Sequence, residues 1–143
     1  MSALTAVVVA ALLAIAVLHA VWLFSPWPLA TPADLARDVV GRSDGSLPRR
    51  LFVPATVGVV VALALAAFLV GAHGGLLDPP SESLARVGTW GVAAVLLGRG
   101  AYGLLESGAR LGDHPASYRR LDLRFYSPLC LVLGGLTAVV AAG

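Results

Sequence analysis

The stretch LARVGTWGVAAVLLGRGAYGLL, residues 84–105, predicts a membrane-crossing helix, yet it carries Arg99 in its interior. A helix needs about 20 residues to span the hydrocarbon core of a bilayer. An arginine at that depth costs at least ~2.5–3.5 kcal/mol, so such a side chain usually faces a partner, water or a ligand. This segment therefore predicts a membrane helix that carries a polar site.

The rest of the chain has the composition of an integral membrane protein. Hydrophobic residues make up 58% of the 143 and charged residues only 13%, against about 25% charged residues in soluble domains. Three further apolar segments are long enough to span, which leaves no length for a globular domain. We expect an all-α, four-helix transmembrane bundle forming one domain over residues 1–143, with spans at about 3–24, 51–72, 84–105 and 125–143.

The arginines predict the orientation of these spans. Eight of them flank the membrane in the first and third loops, whereas the second loop has none and Arg86 enters only with the third span. The positive-inside rule then places both loops in the cytoplasm and both termini outside. All ten basic residues are arginine, a bias typical of GC-rich bacterial genes, so we expect a multi-pass protein of the bacterial inner membrane.

Two local patterns predict where helices begin. In the first loop, Thr31-Pro32-Ala33-Asp34 is typical of a capping box, and a short helix should run from there to Val40 and end at Gly41. Leu35, Val39 and Val40 would lie on the bilayer surface. Ser127-Pro128 predicts an N-cap and first helical residue for the fourth span.

With this topology, polar and aromatic groups from three helices converge on the cytoplasmic half of the bundle. Arg99, Tyr102 and Glu106 follow Gly88, Gly91 and Val95 along one helical stripe, which we expect to face the interior. Glu106 lies too far along the helix to be the direct partner of Arg99, and Asp122 is a candidate partner. The candidate ligand-binding residues are Arg99, His19, Tyr102, Glu106, Trp22, Tyr126, Ser127, Cys130 and Asp122.

Each of these residues also has a purely structural interpretation. Arg99 could extend towards the lipid headgroups or bind backbone carbonyls, His19 could be a hydrogen-bonded core histidine, and the aromatic residues fit an interfacial belt. Small residues such as Gly88, Gly91, Gly134 and Gly135 permit close helix approach.

Several kinds of site are not predicted. The single cysteine, Cys130, excludes an intramolecular disulfide, a CxxC pair and a thiolate cluster. His19, His73 and His114 are expected at different depths, which does not suit a bis-histidine haem, and no zinc ligand set can be assembled. We therefore expect no metal, no cofactor, no assignable catalytic residue and no nucleic-acid partner.

Three motifs resemble a bacterial family of small four-helix membrane proteins that is classified only as a domain of unknown function. They are His19-Ala20-Val21-Trp22, the run 99–103 (RGAYG) and the run 122–131 (DLRFYSPLCL). In that pattern an acidic residue tends to follow the helix-three arginine within a turn, whereas Tyr102 and Gly103 stand there in this chain. The resemblance implies the four-helix architecture and supports the choice of these residues as site candidates, but it implies no reaction.

Three functions remain open from the sequence. The leading hypothesis is a non-enzymatic binding or accessory subunit, whose polar site holds an anionic lipid headgroup or docks a membrane partner. Its partners would be membrane lipids and either a larger membrane complex or a second copy in a homodimer. The alternatives are an enzyme acting on a lipid or isoprenoid, with His19 or Glu106 as acid or base, and a small transporter or channel.

Overall fold

The computed structural model describes residues 1–79 and 81–143, and these form helices and turns without a strand. Four helices are long and two are short. In chain order they are α1 (Ser2–Val21), α2 (Pro32–Leu35), α3 (Arg49–His73), α4 (Glu82–Gly108), α5 (Ala116–Leu121) and α6 (Ser127–Ala142).

Three stretches of helix are long and apolar enough to cross a membrane, which indicates a membrane protein. They are Ser2–Val21, Arg49–His73 and Ala116–Ala142. Helix α4 has 27 residues, so its length would suffice, but it does not reach the same apolarity because Arg86 and Arg99 lie within it. Three of the four expected spans coincide with these stretches, and the fourth, 84–105, lies within the long helix α4.

The long helices pack as two pairs, α1 with α3 and α4 with α6, joined mainly through α3 and α4. Val8, Leu12, Val70 and Val140 lie at the centre of their shared core. Both chain termini and the turn between α3 and α4 lie at one end, where a Cβ on Gly143 would meet Met1. The first and third loops meet at the other end, which we call the loop end.

Small residues form the buried face of α4, and this face is not the one that the sequence predicted. Val95 and Tyr102 are 71% and 61% exposed, so the expected stripe is not close-packed. Its residues Gly88, Gly91, Val95 and Arg99 line an open cavity between the helices, whereas Tyr102 does not. Small side chains let neighbouring helices approach closely, so this face of α4 is close-packed against its neighbours while the arginine stripe is not. The buried residues of α4 are Ala85, Thr89, Ala93, Gly100, Gly103 and Ser107.

The four glycines expected at helix contacts divide into two kinds. A Cβ on Gly134 would lie 2.9 Å from the backbone nitrogen of Leu97, and one on Gly88 would press on a Leu69 side chain. Gly91 and Gly135 have open space instead, because nothing lies within 4 Å of a Cβ added there. Only the first two therefore bring helices together.

The start of the fourth span differs from the sequence prediction. Ser127 does not cap a helix, because α5 runs into α6 through a π-helical turn over Asp122–Tyr126. The helix therefore starts at Ala116, and residues expected in a loop, including Tyr118 and Asp122, are turned into the bundle.

The short helix of the first loop is confirmed. Thr31 and Asp34 form a capping box, and a π-helical turn over Ala36–Val40 ends at Gly41, whose φ of 79° suits glycine. The prediction that Leu35 of this segment lies on the bilayer surface is wrong, because its side chain is only 2% exposed. This segment packs against α5, so the protein itself covers that side chain.

Candidate functional site

The Asp122 carboxylate is fully buried at the loop end and has three hydrogen-bond donors. The guanidinium of Arg99 donates from Nη2 to Oδ1 over 3.0 Å. Ser107 donates to Oδ2 over 2.6 Å and Ser127 donates to Oδ1 over 3.0 Å. A buried carboxylate requires such partners because the loss of hydration is otherwise uncompensated.

The π-helical turn explains how Asp122 and Ser127 come to share a face. In an α-helix, residues five apart are rotated by about 140° from one another. Here the Ser127 N–H donates to the Asp122 carbonyl, an i to i+5 bond, and the wider turn brings both side chains to one side. Such turns occur often at functional sites.

Arg99 lies between this carboxylate and an apolar cavity. Its side chain is 39% exposed while that of Asp122 is 0% exposed. Nη2 makes a second, longer contact of 3.4 Å with the Tyr118 hydroxyl oxygen. Nη1 is buried and has no hydrogen-bond partner among the described residues. The guanidinium is thus anchored through Nη2, while Nη1 is enclosed beside Gly103.

Two glycines of α4 make room for this network. A Cβ on Gly103 would collide with Ser127 Oγ and Arg99 Nη1 and would lie 2.9 Å from Asp122 Oδ2. A Cβ on Gly100 would lie 2.9 Å from the Ser127 carbonyl oxygen. Neither position has space for a side chain, so the ion pair depends on the close approach of α4 and α6.

A second polar cluster ties the two loops together. The Glu106 carboxylate accepts from the Tyr102 hydroxyl over 3.1 Å and lies 3.3 Å from His114 Nε2. His114 Nδ1 lies 3.0 Å from the Gly41 carbonyl oxygen. We call this cluster of Tyr102, Glu106, His114 and the Gly41 carbonyl the loop-end strut. Tyr102 and Glu106 therefore belong to the strut rather than to the environment of Arg99.

A cavity of about 750 Å³ opens between the four long helices. Most of its wall is apolar, with Leu12, Leu63 and Leu133 among the lining residues. Ligand pockets typically measure about 300–1,000 Å³ and combine apolar walls with a few polar groups. Its polar and aromatic lining residues are His19, Trp22, Arg99, Tyr126 and Cys130.

These lining residues are partly occupied by local hydrogen bonds. His19 Nδ1 lies 2.8 Å from the Ile15 carbonyl oxygen, and its ring packs on Trp22 with centroids 4.7 Å apart. The Trp22 N–H donates to the Trp27 carbonyl over 3.0 Å. The Tyr126 hydroxyl donates to the Asp38 carbonyl over 3.1 Å, which ties the first loop to the cavity rim.

The structure thus divides the sequence-predicted residues among three places. Asp122 and Ser127 form the ion-pair network with Arg99, and Tyr102 and Glu106 form the strut. The cavity is lined by Arg99 and by His19, Trp22, Tyr126 and Cys130. Sequence reasoning missed Ser107 and Tyr118. Ser107 follows Arg99 and Gly103 at four-residue intervals, a helical spacing that could have indicated it.

The described residues hold no cluster of three metal-ligating side chains. A second cavity of about 780 Å³ lies at the opposite end, beside His73, Asp78 and Arg86. It contains none of the predicted site residues.

An all-helical membrane protein with an Arg–Asp pair beside an apolar cavity is the class that these observations define. The chain belongs to the family described as Protein of unknown function (DUF3995), whose model matches residues 5–137. No curated protein and no solved structure matches the chain.

Replacing Gly103 by alanine should disrupt the ion-pair network. The new methyl group meets Ser127 and Arg99, and overpacking of this kind typically costs about 1–3 kcal/mol. Gly98→Ala is the matched control on the same helix, because a Cβ there has open space and alanine favours a helix by about 1 kcal/mol over glycine. Thermal unfolding in mild detergent should show a loss only for Gly103→Ala; equal behaviour of both variants would contradict the packing described.

The strut should weaken as the pH rises. Both partners of His114, the Gly41 carbonyl oxygen and the Glu106 carboxylate, can accept hydrogen bonds but cannot donate them. The ring therefore donates to both only when it is protonated. The hydrogen bond to Gly41 and the Glu106 carboxylate raise the pKa of His114, although desolvation and Arg119 oppose them. A raised pKa means that this stabilisation is complete below about pH 6.5, the usual histidine value, and is lost as pH rises through the folded-state pKa.

Hydrogen exchange of residues 36–43, corrected for the intrinsic pH dependence, tests this. Protection should fall by roughly 2- to 10-fold on passing from pH 5.5 to pH 8.5, as expected for the loss of one hydrogen bond. A His114→Gln variant should show little change. A native chain whose protection does not vary with pH would rule out the protonated strut.

Proposed function

We propose that this protein binds a membrane amphiphile in the cavity between its four long helices, as a non-enzymatic binding or accessory protein. The apolar chain of the ligand would lie along the leucine-lined wall, and its polar end would meet Arg99 and His19. The observation that carries this proposal is one continuous cavity that combines an extended apolar wall with Arg99, whose charge is balanced by the buried Asp122 behind it.

The cavity walls favour a ligand with a hydrocarbon chain. Leu12 and Leu133 face it from α1 and α6, and Val59 and Leu63 face it from α3. Water finds few hydrogen-bond partners in such a space, whereas burial of hydrocarbon is favourable by roughly 25 cal/mol per Å². A membrane-derived chain is the ligand that this environment suits.

The polar end favours a headgroup over a plain hydrocarbon. Arg99 is held by Asp122 but remains 39% exposed at the cavity, and its fixed orientation lowers the entropic cost of a further hydrogen bond. The aromatic rings of Trp22 and Tyr126 line the same cavity. These groups are amphipathic, as expected for the boundary between a chain and its headgroup.

We also propose that α4 crosses the membrane as a fourth span. Its 27 residues correspond to about 40 Å of helix, and it packs between α3 and α6. Arg99 would be tolerated at this depth because Asp122 supplies the opposite charge. In this arrangement the ion pair and the cavity lie in the half of the bilayer nearest the loop end.

The loop end would face the cytoplasm of a bacterial inner membrane, with both termini outside. Eight arginines lie in or beside the two loops that meet there, and arginine-rich loops remain on the cytoplasmic side. Single cysteines at Ser46 and Ser2, each in a Cys130→Ala background, test this orientation. An impermeant thiol reagent applied to intact cells should label position 2 alone. Labelling at position 46 would contradict this orientation.

Filling the cavity should displace the ligand. Gly91 lines the cavity and has open space beside it, so Gly91→Phe would project a ring into the binding volume. Gly98→Phe is the matched control. It adds the same ring on the same helix, where space is also open, but Gly98 does not line the cavity.

Native mass spectrometry from mild detergent should find an amphiphile on the native chain and on Gly98→Phe, and at least several-fold less on Gly91→Phe. Equal retention by the two variants would contradict binding in this cavity. A chemically altered lipid recovered only with the native chain would instead support the enzymatic alternative.

A further inference from the structure

We infer that the polar end of the cavity selects an uncharged headgroup bearing a hydroxyl group, which donates to His19 Nε2 and accepts from Arg99. This inference rests on the proposed amphiphile binding and names the ligand class. The argument uses three properties of the lining: the tautomer of His19, the charge balance around Arg99, and the direction of the remaining hydrogen bonds.

His19 presents an acceptor to the cavity. Its Nδ1 lies 2.8 Å from the Ile15 carbonyl oxygen, and a carbonyl can only accept, so Nδ1 carries the hydrogen. In a neutral imidazole the other nitrogen, Nε2, then has a free lone pair. No described residue donates to it, and His19 lines the cavity. The ligand group that satisfies it is a donor.

The charge at this end is already balanced. Arg99 is the one cationic side chain among the described lining residues, and the Asp122 carboxylate lies 3.0 Å from it. An anionic headgroup would be placed beside that buried carboxylate, where like charges repel strongly in a low dielectric. Arg99 can therefore donate a hydrogen bond to a neutral oxygen more readily than it can neutralise a second anion.

The remaining polar groups leave few donors for the ligand. The Trp22 N–H is used by Trp27 and the Tyr126 hydroxyl hydrogen by Asp38. Tyr126 can consequently offer only its oxygen lone pairs, like His19 Nε2. A ketone or an ester accepts but cannot donate, so it would leave both acceptors unsatisfied. An alcohol satisfies one of them and accepts from Arg99 at the same time.

Chain-matched probes test this assignment. Protein in phosphatidylcholine nanodiscs is titrated with 1-dodecanol, its methyl ether, dodecanoate and dodecyl phosphate, and tryptophan fluorescence is recorded because Trp22 lines the cavity. The alcohol should bind roughly 2- to 10-fold more tightly than the ether, as expected for one hydrogen bond, and more tightly than both anions. His19→Phe should abolish the difference between alcohol and ether.

His19→Gln controls for a folding defect, because its amide oxygen is an acceptor and should preserve the preference for the alcohol. An alcohol-to-ether ratio unchanged in His19→Phe, or tightest binding of dodecyl phosphate, would overturn this inference and leave amphiphile binding intact. If no probe binds and Gly91→Phe retains native lipid, both the inference and the proposed function fail.

Discussion

The buried carboxylate of Asp122 is the constraint on which the loop end of this protein depends. A carboxylate without exposure to water must be surrounded by donors, and here Arg99 comes from α4 while Ser127 follows Asp122 along the chain. That requirement holds α4 close to α6, and Gly100 and Gly103 make the close approach possible. Stability and site geometry therefore rest on the same contact.

This arrangement gives Arg99 a role that its depth alone does not specify. An unpaired arginine in a membrane helix would seek headgroups or water. Paired with Asp122, it is held at the edge of an apolar cavity, where His19 and Tyr126 present lone pairs. The cavity thus has an apolar wall and a polar end of balanced charge, and the first loop closes that end through the hydrogen bond from Tyr126.

The sequence predicted the helical class, the long helices within a few residues and the capping box at Thr31, and it indicated Asp122 as a candidate partner of Arg99. It did not predict which face of α4 is buried, because an arginine stripe and a small-residue stripe lie about 100° apart and only tertiary packing selects between them. It also placed Tyr118 and Asp122 in a loop, since Ser127-Pro128 is typical of a helix start. A π-helical turn has no comparable local signal, so the alignment of Asp122 with Ser127 could be read only from the structure.

A double-mutant cycle of Arg99→Gln and Asp122→Asn tests the central claim most directly, with the free energy of unfolding measured in mild detergent. Arg99→Gln leaves a buried carboxylate without its cation, which typically costs about 3–5 kcal/mol. Asp122→Asn should cost less, about 1–3 kcal/mol, because water reaches the half-exposed guanidinium. We predict that the double variant is more stable than Arg99→Gln alone, with a coupling free energy of at least about 1 kcal/mol. Two losses that simply add would contradict the claim that this ion pair organises the site.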